Sequence, residues 1–420
     1  MRSEGVDAAS AGVPVKRAAG ARGRAGAAVV AALKDVPLSP AMRRRLHETL
    51  PWRPGVTEIP VDRLLLGLQN RMRADDFAHE YGELSWPSTP VGEGPHAELL
   101  RLAATHGDLD AGAILDSSYG RLARVCIRTR GFFFTATDEQ GIVDVAHNYI
   151  GRHRGRQVAA LGEHQSPAGA PIRVAPIRWS ECYQVLDGHH RVASAIVRGA
   201  PSLTARVKWR PLTTPLQRLL IQMSPPGGRT LLQPVDAPEV GVWSRGEGVG
   251  STVAHFDAME RFLASPRFSS APLSSYLDVG SVYGWRVAQM AARGYRAEGV
   301  EDHPAAMELA QAAYGLEPGQ VHRADPVRFL SSGDRSWDVV SWSGPSEVGP
   351  QVSDPPDDLL ALLTRRTGRA LFLPRGSQRL ERLLRREFDE VTVVEDTDAR
   401  TWLPASGLLA CVRSGAESAP

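Results

Sequence analysis

The chain has 420 residues, enough for two or three domains, and 42% of them are hydrophobic, enough for substantial cores. Lys and Arg number 49 against 47 Asp and Glu, and a net charge of +2 gives no overall excess pointing to nucleic acid or an acidic membrane. Cys126, Cys182 and Cys411 lie far apart without metal-ligand spacing, so they are expected as buried thiols in a reducing compartment.

No apolar run approaches the length of a membrane span, and a soluble cytoplasmic protein without a metal site is expected. The opening "MRSEGVDAASAGVPVKRAAGARGRAGAAVV", residues 1–30, is Ala/Gly/Arg-rich, lacks the apolar core of a signal peptide and reads as a flexible tail. A short helix is expected from Ser39 to about Leu50, then "VTEIPVDRLLLG", a strand that turns at Pro60. Residues 96–130 carry apolar side chains at three- and four-residue spacing with glycine breaks, which predicts helices, and "GIVDVAHNYIGRH" continues them. "IRVAPIRW" and "CYQVLDG" read as strands, followed by a helix from about His190 to Val197 and the strand "LTARVKW". The Pro- and Gly-rich stretch 211–254 reads as a linker with one helix, "TPLQRLLIQM", before the helix "AHFDAMERFLAS".

From Ser275 onward strands and helices alternate. The strands are "YLDVG", "RAEGV", "QVHRA", "WDVVSW", "RALFLP", "EVTVVED" and "LLACVR". Helices "WRVAQMAARG", "AAMELAQAAYG", "DDLLALLTRRTG" and "SQRLERLLRREF" lie between them, with Gly294, Gly315 and Gly368 at the expected C-caps. Such alternation implies an α/β fold with a parallel, doubly wound sheet. The last two strands have no helix between them, so the final one is expected to return antiparallel.

The stretch "SSYLDVGSVYGWRVAQMAARGYRAEGVE", residues 274–301, is a strand, a glycine turn, a helix and a second strand ending in an acid. Asp278 at the turn would repel a pyrophosphate but can accept from an ammonium, and Glu301 can take both hydroxyls of a ribose. An amino-acid nucleoside without phosphate satisfies both. On Asp278, Gly280, Gly284, Glu301 and the Asp325 of "VHRADPVRFL", residues 255–415 resemble the class I S-adenosylmethionine-dependent methyltransferases. The resemblance implies a Rossmann-like seven-stranded sheet and S-adenosyl-L-methionine as cofactor, held by those residues with Ser281, Tyr283 and Asp302. It places Asp325 near the adenine amine. Val282 stands where the family has a middle glycine, and after the fourth strand only Glu347 is a nearby ionisable candidate for catalysis.

The second motif is "CYQVLDGHHRVASAIVRGAPSLTARV", residues 182–207. A strand ends at Asp187-Gly188, and His189, His190 and Arg191 crowd the start of a helix, where amides, dipole and guanidinium make an anion site. This turn resembles the Gly-x-x-Arg turn of the ParB/sulfiredoxin-like fold, and "VTEIPVDRLLLG" resembles that fold's first strand. The resemblance implies an α+β domain over residues 31–210, with a helical insertion at about 74–161. It further implies phosphate or nucleotide binding, with Mg2+ as an option and Glu58 as a candidate base. His189 stands in the place of the reductase cysteine, which argues against sulfinic-acid reduction.

The combined reading is a methyltransferase acting on a small-molecule or phosphate- or nucleotide-bearing substrate, in bacterial specialised-metabolite or glycan biosynthesis. The alternative is a ParB-like phosphotransferase, hydrolase or nucleotide-sensing regulator with a non-catalytic methyltransferase-like domain. Nucleic acid and membrane partners are not expected, and the sequence leaves the methyl acceptor and oligomeric state open.

Overall fold

The computed structural model describes residues 56–160, 171–208, 210–224, 229–245, 247–268, 272–343, 354–394 and 407–413. The expected tail, the helix Ser39–Leu50 and Glu347 lie outside the described residues.

The N-terminal lobe is built on strands β1 (Val56–Pro60), β2 (Leu64–Leu65), β3 (Ile172–Pro176), β4 (Tyr183–Asp187) and β5 (Ser202–Val207), in the order β1-β5-β3-β4-β2. β3 runs antiparallel to β4 and parallel to β5, so the sheet is mixed. Between β2 and β3 come helices Ala74–Tyr81, Pro95–His106, Ala111–Asp116, Ser118–Arg130 and Glu139–Ala160. The helical insertion read from the three- and four-residue spacing is therefore present as helix. Its apolar faces and the sheet share one core, with Phe77, Trp86, Leu99, Tyr119, Leu122, Ile142, Val174 and Val185 all buried.

The stretch expected as a linker is structured and packed. It carries helix Pro215–Met223, opened by a Thr214/Gln217 capping box, and strands β6 (Thr230–Leu231) and β7 (Ser244–Arg245), which pair parallel. Leu216, Leu220, Leu231, Val240 and Trp243 from this stretch form one apolar cluster with Val282, Tyr283, Ala305 and Leu309. Helix Glu247–Leu263 follows.

The C-terminal sheet contains β8 (Ser275–Val279), β9 (Arg296–Glu301), β10 (Val321–Arg323), β11 (Trp337–Trp342), β12 (Thr367–Pro374), β13 (Glu390–Val394) and β14 (Leu408–Val412). Their order is β10-β9-β8-β11-β12-β14-β13, and β14 lies antiparallel between β12 and β13. All other pairings are parallel. The order reverses at β8, with helices between the parallel strands, so the carboxyl end of β8 is the topological switch point where such sheets hold ligands. Every residue of β8 and β14 is buried, as expected of strands covered on both faces.

Gly294 and Gly315 take positive φ of 87° and 65° where helices end, as expected. Gly368 does not. Helix Asp357–Arg366 stops at an extended Thr367 and β12 begins there, so Gly368 is a strand residue. Among the described residues no helix is long and apolar enough to cross a membrane. The thiols Cys126, Cys182 and Cys411 are free and buried.

Candidate functional site

At the switch point, β8 ends in Val279 and the chain turns through Gly280, Ser281, Val282 and Tyr283 to Gly284, the N-cap of helix Trp285–Ala292. Gly280 and Gly284 have φ of 72° and 81°, which glycine adopts freely. Val282 also has positive φ, 55°. A β-branched residue in that region carries strain of about 1–3 kcal/mol that its surroundings must hold. They do: its side chain is 5% exposed, inside the cluster formed with residues 216–243. From the other side β9 presses on the turn, where a Cβ on Gly299 would lie 2.8 Å from Ser281 Oγ.

The two motif acids sit on adjacent strands and behave differently. Asp278 is 0% exposed. Its Oδ1 accepts from Ser341 Oγ at 2.6 Å and Ser343 Oγ at 3.2 Å, and lies 3.8 Å from the Arg286 guanidinium. Burial pushes its carboxyl above the usual range, while Arg286 and the two serines pull it back. Arg286, which no motif marks, is itself 6% exposed. Asp278 Oδ2 and Arg286 Nε are buried without a hydrogen bond. Arg286 therefore supplies the positive charge that Asp278 was expected to receive from a ligand ammonium.

Glu301, at the end of β9, accepts from Val282 N at 3.0 Å through Oε2, and from Asp302 N and His303 N through Oε1. Burial raises its pKa to about 7, with the Val282 amide acting in the opposite direction. A carboxylate has about four acceptor positions, so these three bonds leave room for a hydroxyl. Asp302 is exposed. Asp325 is exposed too, and its Oδ1 caps helix Pro326–Ser331 by accepting from Arg328 N at 2.8 Å. A hydrogen-bonding role there is explained by helix capping alone.

Ser281 and Tyr283, expected to line a cofactor pocket, are both 0% exposed. The reason is Gln233. Its Oε1 accepts from Tyr283 N at 3.0 Å and Trp285 N at 3.2 Å, and its Nε2 donates to Ser281 O at 3.1 Å. Tyr283 Oη accepts from Leu232 N, and Tyr314 Oη donates to Pro234 O at 2.7 Å. The helix N-terminal amides that a ligand anion would use are thus occupied by a side chain of the packed stretch. No periodicity or motif marks Gln233 in the sequence.

The second candidate site requires a larger correction. Gly188, with φ of 101°, caps helix His189–Val197 as expected. His189 and His190, however, do not point at an anion. His189 stacks on His96 at 5.5 Å, and His190 stacks on Tyr149 at 4.0 Å and on Phe134 at 4.7 Å. His190 Nε2 also lies 2.9 Å from Tyr119 Oη. Burial lowers the pKa of His189 to about 4 and that of His190 to about 3, so both rings are neutral at physiological pH. They are core groups, because the helical insertion supplies aromatic partners that a local sequence window does not reveal. Arg191 lies 3.6 Å from Asp187 at the mouth of the turn. Glu58 is exposed on β1, and its carboxylate is engaged by the hydroxyls of Ser202 and Thr204 on β5.

The C-terminal half has the strand order and antiparallel seventh strand of the class I methyltransferase fold. Among solved structures, the chain is similar to the T. thermophilus 16S rRNA N2 G1207 methyltransferase, with 17% identity, 39% of this chain and 43% of that one covered, and a TM-score of 0.30. It is also similar to a TehB-like methyltransferase from Corynebacterium glutamicum, with 14% identity, 38% and 85% coverage, and a TM-score of 0.27. A third is the magnesium protoporphyrin IX methyltransferase of Synechocystis, with 18% identity, 39% and 81% coverage, and a TM-score of 0.27. No protein-family model and no curated protein matches the chain.

Proposed function

We propose that the C-terminal domain binds S-adenosylmethionine at the switch point and that the protein is a methyltransferase. The observation that supports this most is the placement of Glu301. Its carboxylate stands at the end of β9 beside the glycine turn, half-buried, with an acceptor position left for a ribose hydroxyl. Alignment of a sulfonium with a nucleophile supplies much of the acceleration of methyl transfer, so a general base is not required for the reading. The acceptor is proposed to be a small molecule or a phosphate-bearing one, presented by the N-terminal lobe. The support for that part is the solvent-facing Asp187-Gly188-Arg191 turn, whose glycine opens a helix N-terminus.

Calorimetry with S-adenosylhomocysteine tests the reading. The parent should bind, and Glu301→Ala should weaken binding by about 1.5–3 kcal/mol, the usual loss for a hydrogen bond to a charged group. Because burial holds the Glu301 pKa at about 7, affinity should rise as pH passes from 6 to 8, and Glu301→Gln should abolish that rise. An absence of binding by the parent at any pH overturns the proposal.

A second reading, a methyltransferase-shaped domain that regulates rather than catalyses, is favoured by one specific arrangement. Arg286 already faces Asp278, and Gln233 already occupies the Tyr283 and Trp285 amides. Under that reading Gln233→Ala leaves the parent's lack of binding unchanged. Under the first, it opens the amides and strengthens binding.

A further inference from the structure

The N-terminal lobe contains a concavity of about 640 Å³ at which Arg71, Arg73, Arg128 and Arg130 converge, together with Asp76 and Glu80. Four guanidiniums line it against two carboxylates, with Asp75 as a third close by. Arg73 pairs with Asp75 at 3.5 Å. Arg128 donates to Glu80 O at 3.0 Å and Arg130 to Arg71 O at 3.3 Å, so both are held by carbonyls, which orient a guanidinium without neutralising it. Among the described residues no carboxylate forms an ion pair with Arg71, Arg128 or Arg130.

The backbone that displays these groups is strained. Asn70 and Arg71 have φ of 44° and 66° in a tight turn closed by Met72 N donating to Gln69 O. Asparagine tolerates that region, but an arginine there costs energy, and the Arg71 side chain is exposed rather than held in a core. Asn70 Nδ2 donates to Phe132 O, tying this turn to a second one. In the second turn Phe134 also has positive φ, 53°, and is 58% exposed, while Phe132 is 37% exposed. Two strained turns joined by a hydrogen bond thus carry an unneutralised Arg71 on one and exposed aromatic rings on the other, Phe134 keeping one face on His190.

We propose that this groove binds single-stranded nucleic acid, with phosphates on Arg71, Arg128 and Arg130 and bases stacking on Phe132 and Phe134. A cationic track beside sequence-tolerant stacking platforms is the chemistry by which single strands are held. The guanidinium fork matches phosphate oxygens, and the strain at Arg71 is what a binding residue retains at the expense of stability. The site is remote in sequence from the glycine turn of the C-terminal sheet and does not rest on cofactor binding there.

The test is fluorescence anisotropy of the full chain with labelled oligouridylate and oligothymidylate, and with tripolyphosphate as competitor. Either oligonucleotide should bind at 50 mM salt. Neutralising three phosphates predicts a fall in affinity of about 20-fold between 50 and 200 mM salt. Arg128→Gln combined with Arg130→Gln should weaken binding at least tenfold and flatten the salt dependence. Arg71→Gly should weaken binding while raising the melting temperature, because glycine accepts the positive φ, so loss of fold cannot account for the result. Phe134→Gly should weaken oligonucleotide binding and leave tripolyphosphate binding unchanged. The proposal is overturned if neither oligonucleotide binds, if the double arginine variant binds as the parent does, or if tripolyphosphate competes fully and Phe134→Gly has no effect.

Discussion

At Gly188 and at Gly284 a glycine of positive φ opens a helix after a strand, and in both places a strand aspartate faces a helix arginine. Asp187 and Arg191 are 3.6 Å apart, with side chains 59% and 34% exposed. Asp278 and Arg286 are 3.8 Å apart, with side chains 0% and 8% exposed. The separations are nearly equal and the surroundings opposite. In water such a pair is screened and contributes little, whereas a sealed pair becomes a liability once one partner is removed. What seals the second turn is the stretch from Leu231 to Trp243, and what fixes that stretch is Gln233 on the turn's own amides. Burial, not the spacing of Asp, Gly and Arg, decides whether such a turn can receive a ligand's charge or has been supplied with one.

The largest expected effect breaks the sealed pair. Asp278→Ala leaves Arg286 buried without a counter-charge and should cost about 3–5 kcal/mol in denaturant unfolding. A loss below about 1 kcal/mol would mean that water reaches the pair. Val282→Gly trades relief of backbone strain, about 1 kcal/mol, against the loss of a buried side chain, about 2–3 kcal/mol. A net destabilisation of about 1–2 kcal/mol is expected, and a stabilised variant would show that the valine does not support the covering stretch.

Glu239 sharpens the comparison by pH. It is 0% exposed, accepts from Thr214 Oγ1 at 3.2 Å and from the Ser88 hydroxyl, and burial raises its pKa despite those bonds. A carboxyl raised on folding is stabilising below its unfolded pKa, and that contribution is lost as pH rises through the folded value. Stability of the parent should therefore fall above about pH 4.5, near the ordinary glutamate value, and Glu239→Gln should lose less over the same range. Parallel pH profiles of the two proteins would contradict this. The smallest effect belongs to the open turn: Asp187→Asn should change stability by no more than about 0.5 kcal/mol, measured in the same way.

Strand and helix alternation made the C-terminal sheet legible from Ser275 onward, including the returning strand Leu408–Val412, because each element carries its own apolar period and most breaks carry a glycine. The positions of Asp278, Gly280, Gly284 and Glu301 were legible for the same reason. Their accessibility was not, because Gln233 and Arg286 act through contacts that no local pattern encodes. His189 and His190 failed as anion ligands on similar grounds: their neighbours His96, Tyr119 and Tyr149 come from the insertion, far away in sequence. Net charge is a coarser signal. A balance near zero for the whole chain says nothing of where charges sit, and among the described residues Arg71, Arg128 and Arg130 form no ion pair although they lie together.

The stretch from Thr214 to Trp243 also sets how this protein can be divided. Arg218 reaches Asp75 at 2.6 Å, Gln217 Nε2 donates to Arg178 O at 2.7 Å, and Leu220, Val240 and Trp243 cover Val282 and Tyr283. A C-terminal fragment cut at the expected boundary near residue 255 would begin life with that apolar surface bare, and would tend to self-associate through it. Moving the start back to Thr214 carries the cover along but uncouples Glu239 from Ser88 and bares the face that meets the N-terminal lobe. For this chain, the smallest transplantable piece containing the glycine turn begins well before the sheet that bears it.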